Sequence, residues 1–466
     1  MTSPESLFAV PDAEEVRIRI PRYDRPGPRY TSYPTAPVFS EEFGDEDFQR
    51  ALSLCRDRVL SIYIHIPFCE RLCGFCACNR RITQDHSVAR PYLEALQRQA
   101  DRVAETIGGD RRTTQLSVGG GTPTFLSPEE LDRMCKIIDA RFPPEPDAER
   151  SIEVDPRVTT RDQLEVLRAN GFNRISMGVQ DFSPVVQKAV RRNQTEEQTE
   201  RLTREAREVG FLSVNYDLIY GLPFQTVDTF RETVERVIEN RPDRIALYSY
   251  AHVTWISKQQ RGFENKDLPE PERKVAIFLT AVEGFEKAGY RFLGLDHFSL
   301  PDDELAIAAE TGDLRRNFMG YTTKEGVDLM AFGASGISET AEAYAQSTRD
   351  AMEWQERIVG GTLATMRGWW LSEDDKRRKW LIHRLMCQGE VSPSKYETKF
   401  GEALSDRIPD LEERLAPFVD DYLLAFQDGA YRVMPIGRVF LRVVAMTFDA
   451  YLPGQTGDRP MFSRTV

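Results

Sequence analysis

The chain has 466 residues, with 74 Asp and Glu against 61 Lys and Arg and a formal net charge of −13. That balance argues against broad nucleic-acid binding and against docking on an anionic membrane, and no apolar run approaches the ~20 residues that span a bilayer. Residues 1–30 show no signal-peptide core and most of the seven cysteines sit in one cluster, so a cytoplasmic protein of two or three domains is expected rather than a disulfide framework.

Residues 1–55 are rich in Pro, Arg, Tyr and acids. "RYDRPGPRYTSYPTAP" repeatedly breaks regular structure, which predicts an N-terminal arm or irregular lid, and the interleaved Tyr23, Tyr30, Tyr33 and Phe39 predict that it packs down. From about residue 60 short apolar runs alternate with amphipathic segments. Strands are predicted at 61–66, 115–119, 151–154, 174–178, 212–219 and 244–250. Helices between them carry capping boxes, Ser127 with Glu130, Thr160 with Gln163 and Thr195 with Gln198. Gly171 and Gly210 suit left-handed helix ends, and a long helix is predicted from Pro271 to Ala288. Six strands alternating with helices imply a parallel α/β sheet, either open or a full or partial (β/α) barrel, with functional groups at the C-terminal strand ends. The expected division is arm 1–55, α/β domain 56–370 and a mostly helical C-terminal domain 371–466 with a small hairpin.

"YIHIPFCERLCGFCACNRR" (63–81) holds Cys69, Cys73, Cys76 and Cys78 directly after the first strand. Three thiolates within eight residues can wrap one soft metal centre. A closed zinc site normally wants four ligands in separated pairs. Cys55, Cys135 and Cys387 read as small buried apolar residues, and enclosing one ion with Cys78 as well strains the CxC step. An iron–sulfur cluster with one iron left open is the better candidate, with zinc the alternative. Asp217 lies inside an apolar strand, where an unpartnered carboxylate is costly, so it points to function or to an ion pair. His65 is expected to face inward and pack around the cysteine loop, and the pair Asp296-His297 in "GLDHFSL" is a further candidate.

CxxxCxxC in this position resembles the radical S-adenosylmethionine (SAM) superfamily. CxxxCxxCxC, together with "GPRYTSYPTAPVFSEEF", "GGGTPTFL", "IEVDPR", "GFNRISMGVQDF", "DLIYGLP", "DHFSLPDDELA" and "RNFMGYTT", resembles the oxygen-independent coproporphyrinogen III oxidase family along nearly the whole chain. The resemblance implies a partial (β/α)6 TIM-like barrel. It also implies a [4Fe-4S] cluster on Cys69, Cys73 and Cys76, and two molecules of SAM. Tyr63, Phe75, Gly120, Gly121, Thr122, Glu153 and Ile337 match contacts of the first SAM. Gln180, Arg192, Asp217 and Ala251, with Gly121 and Thr122, match contacts of the second.

The implied reaction converts two propionates of coproporphyrinogen III to vinyl groups through a 5′-deoxyadenosyl radical. The resemblance also implies a reductant protein such as flavodoxin or ferredoxin that feeds the cluster, and a monomer is expected. Arg29, Arg80, Arg81, Arg191 and Lys258 are cations available near the functional loops, though each also reads as a surface charge. Two other readings remain open. One is a radical SAM tetrapyrrole methyltransferase. The other is a haem-binding chaperone of the related family, against which Cys78 weighs. One departure is Thr254, where the family often has Pro.

Overall fold

A computed structural model describes residues 11–56, 59–254, 257–452 and 462–465. Its first element is a helix where irregular backbone was expected. α1 (Ala13–Tyr23) starts at Asp12, whose carboxylate accepts from the Glu15 N–H, and carries Pro21 inside it. Proline breaks a helix by losing one intrahelical hydrogen bond and crowding the preceding turn. In the final turn that cost is small enough for the buried stripe of Val16, Ile20 and Tyr23 to override it. Beyond α1 the arm is irregular, and its Tyr30, Tyr33 and Phe39 are buried, as the aromatic spacing implied.

The six expected strands form in order: β1 (Val59–Ile66), β2 (Arg112–Gly120), β3 (Pro144–Val154), β4 (Arg174–Gln180), β5 (Ser213–Tyr220) and β6 (Arg244–Ser249). Each pairs in parallel with the next. The helices between them begin at boxes that close in both directions at Ser127, Thr160 and Thr195, and Gly171 and Gly210 both have φ in the left-handed region. The long helix α2 (Pro271–Lys287) follows β6.

The sheet then grows at both edges with strands that the alternation did not reveal. β7 (Arg291–Gly294) and β8 (His297–Ser299) add antiparallel beyond β6. β9 (Leu329–Phe332) pairs in parallel with the free edge of β1, and β10 (Ile337–Glu339), β11 (Ala343–Ser347) and β12 (Thr365–Trp370) extend it antiparallel. The strand order stays open, which makes the architecture a partial (β/α)6 barrel.

Alternation along β1 decides what faces where. Leu60, Ile62, Ile64 and Ile66 are fully buried, each worth ~1.5–3 kcal/mol for leaving water. Ser61, Tyr63 and His65 take the other face. The same rule sends Ser117, Ser151, Glu153, Ser176, Asn215, Asp217 and Tyr248 into a lumen cavity of about 140 Å³.

The C-terminal part is helical, led by α3 (Glu373–Gln388), with a hairpin at Leu424–Gln427 and Ala430–Val433. One apolar cluster runs from Val16 through the sheet to Tyr396, Phe418 and Phe448. Arg442 ties the two ends of the chain together, donating to the carbonyls of Pro28, Gly27 and Arg464.

Candidate active site

The loop after β1 is fastened at several points. Phe68–Cys69 pairs with Arg81–Ile82 and closes residues 70–80 into a loop. Inside it the Gly74 N–H donates to Val190 O at 2.7 Å, Gln260 Nε2 donates to Phe75 O at 2.9 Å, and Gln259 Nε2 donates to Cys76 O. His65 secures the far end: Nε2 donates to Asn79 O at 2.8 Å, which leaves Nδ1 to accept from the Tyr63 hydroxyl at 3.1 Å. Burial lowers the His65 pKa to about 4, so the ring is neutral. It packs around the loop, as expected.

Hydrogen-bond donors face the sulfurs. Thr122 Oγ1 lies 3.4 Å from Cys69 Sγ, and Arg157 Nη2 and Arg192 Nη1 each lie 3.6 Å from Cys73 Sγ. Both guanidiniums also contact Asp155, whose pKa falls to about 2 because Arg192 and Arg157 outweigh its burial. These donors point at sulfur, as a metal-bound thiolate accepts. Without a metal, burial raises the Cys69 pKa to about 11 despite the Thr122 hydroxyl, while a hydrogen bond from Cys78 lowers that of Cys76 to about 6. Cys78 is exposed, while Cys55, Cys135 and Cys387 are buried, as their sequence contexts predicted.

The end of β2 runs against this loop. Gly121 donates to Ile66 O and Thr122 to Phe68 O, both at 2.8 Å. A Cβ on Gly121 would stand 2.7 Å from Phe68 O, and one on Gly120 would stand 2.6 Å from the His65 ring. Gly120 also has φ of 115°, so both positions exclude any side chain. The Gly120 N–H donates to Glu153 Oε2 at 3.2 Å. Burial, and then the charge of Asp217, raise the Glu153 pKa to about 7. Asp217 accepts from Ser176 Oγ and Asn215 Nδ2, both at 2.9 Å, and its pKa is raised chiefly by burial.

Tyr63, Gly120, Gly121, Thr122, Glu153, Arg192, Asp217 and the three cysteines therefore belong to one connected region at the C-terminal strand ends. Gln180 closes β4 with φ of 70°, and Ala251 O accepts from Gln260 at 3.2 Å. Phe75 packs in an apolar cluster with Val186, Val190 and Phe263. Ile337 stands apart from these contacts, packed with Phe39, Tyr344 and Leu371. At the mouth Asp296 accepts from His297 Nδ1 at 2.6 Å and pairs with Arg29 from the arm. The Arg29 guanidinium lies over the Tyr248 ring.

Sequence reasoning missed the roles of Asp155, Arg157, Gln259 and Gln260. "IEVDPR" held a signal for the first two. Nothing in "SKQQRG" reveals a partner some 180 residues away, since pairing at that range is set by the fold.

Residues 63–237 match the radical SAM superfamily. The chain is 42% identical to oxygen-independent coproporphyrinogen III oxidase of Escherichia coli over 96% of this chain and 97% of that protein. It is 41% identical to the enzyme of that name from Pseudomonas aeruginosa over 98% of both. The chain belongs to the oxygen-independent coproporphyrinogen III oxidase family. The solved structure of the E. coli family member, described as a radical SAM enzyme, superposes with a TM-score of 0.88 over 91% of this chain and 97% of that one.

The family's cofactors are a [4Fe-4S] cluster and SAM, and the donor set fits them. Three thiols lie on one fastened loop, with cations and a hydroxyl turned to the sulfurs and a glycine-walled approach beside them. The cluster would sit on Cys69, Cys73 and Cys76.

Proposed function

We propose that the chain carries out the family's reaction: oxidative decarboxylation of two propionates of coproporphyrinogen III to vinyl groups, giving protoporphyrinogen IX in haem biosynthesis without oxygen. The observation that carries this is the fastened CxxxCxxC loop facing a polar lumen, in a chain that matches the named enzymes from end to end. When bound, the reduced cluster and SAM together supply a 5′-deoxyadenosyl radical, the hard chemistry that the protein directs.

The chain's own groups then have distinct tasks. Thr122, Arg157 and Arg192 direct hydrogen-bond donors at the sulfurs of Cys69 and Cys73. Gly120 and Gly121 let a ligand lie against backbone, and Glu153 and Asp217 offer carboxylates to SAM's hydroxyl and amino groups. Tyr63, Phe75, Gln180, Ala251 and Ile337 complete the two SAM sites in this reading. Arg29, brought in by the arm, narrows the mouth and helps to exclude water from the radical. The arm 1–55 and the domain 371–466 act as covers on the barrel 56–370.

A small one-electron carrier protein of the flavodoxin or ferredoxin kind supplies the reducing equivalent. In this reading the enzyme works as a monomer in the cytoplasm. Among the described residues no helix is long and apolar enough to cross a membrane.

Anaerobic turnover tests the reading. Reconstituted protein, reductant, SAM and coproporphyrinogen III should yield a vinyl product with loss of CO₂. A gain of a methyl group, or an intact cluster with no vinyl product, would refute it. Cys73→Ala should lose most bound iron and all SAM cleavage while the chain stays folded by circular dichroism.

A further inference from the structure

Three segments meet at the cysteine loop. Phe75 shares an apolar cluster with Val186, Val190 and Phe263, Gly74 is tied to Val190, and Gln259 and Gln260 hold the carbonyls of Cys76 and Phe75. Residues 71–81, 183–193 and 257–263 together contain eight Lys and Arg and not one Asp or Glu, in a chain of net charge −13. Arg71, Lys188, Arg191, Lys258 and Arg261 are exposed. Among the described residues none of the five forms an ion pair. A Cβ on Gly262 would lie 3.9 Å from Arg191 Nη2, so two of the segments bring their charge to one place. Val185, 62% exposed, adds an apolar contact point.

Like charges brought together oppose folding, and among the described residues no ion pair offsets these five. A partner of opposite charge would. We propose that this basic face is the docking surface for an acidic one-electron carrier protein. The proposal rests on the radical SAM reading. Each SAM cleavage needs one electron from outside, and this face reaches the cysteine loop through single hydrogen bonds at Phe75 and Cys76. The reduced carrier loses one electron and the cluster gains it. No bond breaks and no proton moves at the face itself. Exposed complementary charge acts mainly on association rate and salt dependence, which a transient electron-transfer encounter uses.

The test is the double variant Lys188→Glu/Arg261→Glu, with reduced flavodoxin as the acidic carrier and dithionite as a small reductant that needs no docking. Direct association with flavodoxin, measured by interferometry at low and high salt, should weaken by about tenfold or more, with a shallower salt dependence. Flavodoxin-driven SAM cleavage should fall in step, while dithionite-driven cleavage holds at the parent rate. Equal flavodoxin affinity and equal flavodoxin-driven rates in parent and variant would overturn the proposal. So would a raised KM for coproporphyrinogen III under dithionite, which would assign the face to the substrate. If the parent cleaves no SAM with either reductant, the functional reading fails, and the association measurement still judges the docking surface.

Discussion

Glu153 sits where two demands conflict. It lies in the lumen with Asp217, Tyr63, Tyr248, Cys76 and Cys78 contributing to its electrostatic surroundings, and among the described residues only the Gly120 N–H donates to it. Its folded pKa of about 7 exceeds its ordinary 4.5. The folded state therefore holds the proton more tightly, a contribution fully present below the ordinary value and lost as pH rises through about 7. Glu153→Gln keeps the neutral shape at every pH. It should melt at a higher temperature than the parent at pH 8 and at the same temperature at pH 3.5, below the ordinary value, as followed by calorimetry. On the proposed reading it should also bind SAM at least tenfold more weakly by equilibrium dialysis. Unchanged SAM affinity would remove Glu153 from the site.

Individual elements can be tested without touching the chemistry. Ser127 caps the helix after β2 through a closed box, accepting from the Glu130 N–H while Glu130 accepts from the Ser127 N–H. Ser127→Ala should cost ~1 kcal/mol, read as a lower urea midpoint with SAM cleavage intact; a change in cleavage with no loss of stability would contradict that role. Caps of this kind explain why the central elements were legible. Period-two apolar runs, box residues and terminal glycines are local signals, and they located β1 to β6 and their helices within a few residues, except that β3 starts at Pro144, seven residues before the apolar run at 151–154. α1 was not legible because Pro21 reads locally as a breaker, while the burial of Val16, Ile20 and Tyr23 that overrides it is a tertiary fact. β9 to β12 were missed for a related reason: Leu329–Phe332 is four residues long, and its pairing with β1 spans most of the chain. In the site, the cysteine spacing announced a metal centre by itself. Arg157 and Gln259 became visible only when folding brought them to Cys73 and Cys76.

At the scale of the whole molecule the two chain ends are structurally one unit. Arg442, 6% exposed, donates to Gly27, Pro28 and Arg464. Asp449 accepts from the Tyr30 hydroxyl at 3.0 Å, and the Ala450 N–H donates to the Tyr33 hydroxyl at 2.9 Å. Arg442→Met strands several buried carbonyls and should cost ~3 kcal/mol. Limited proteolysis should then cut first within residues 24–35; a cleavage pattern like the parent's would show that the arm is held by other means. This knot also bears on biosynthesis. Residues 24–33 leave the ribosome early, yet their partners at 442–465 emerge some 400 residues later. Through most of translation Tyr30, Tyr33 and the carbonyls of Gly27 and Pro28 lack these partners, so on the proposed reading the arm's cover over the barrel is fixed last. A chain released short of residue 442 should accept a cluster from a scaffold protein yet lose it to chelators faster than the full-length chain. If both chains lost it at the same rate, the knot would have no part in cluster retention.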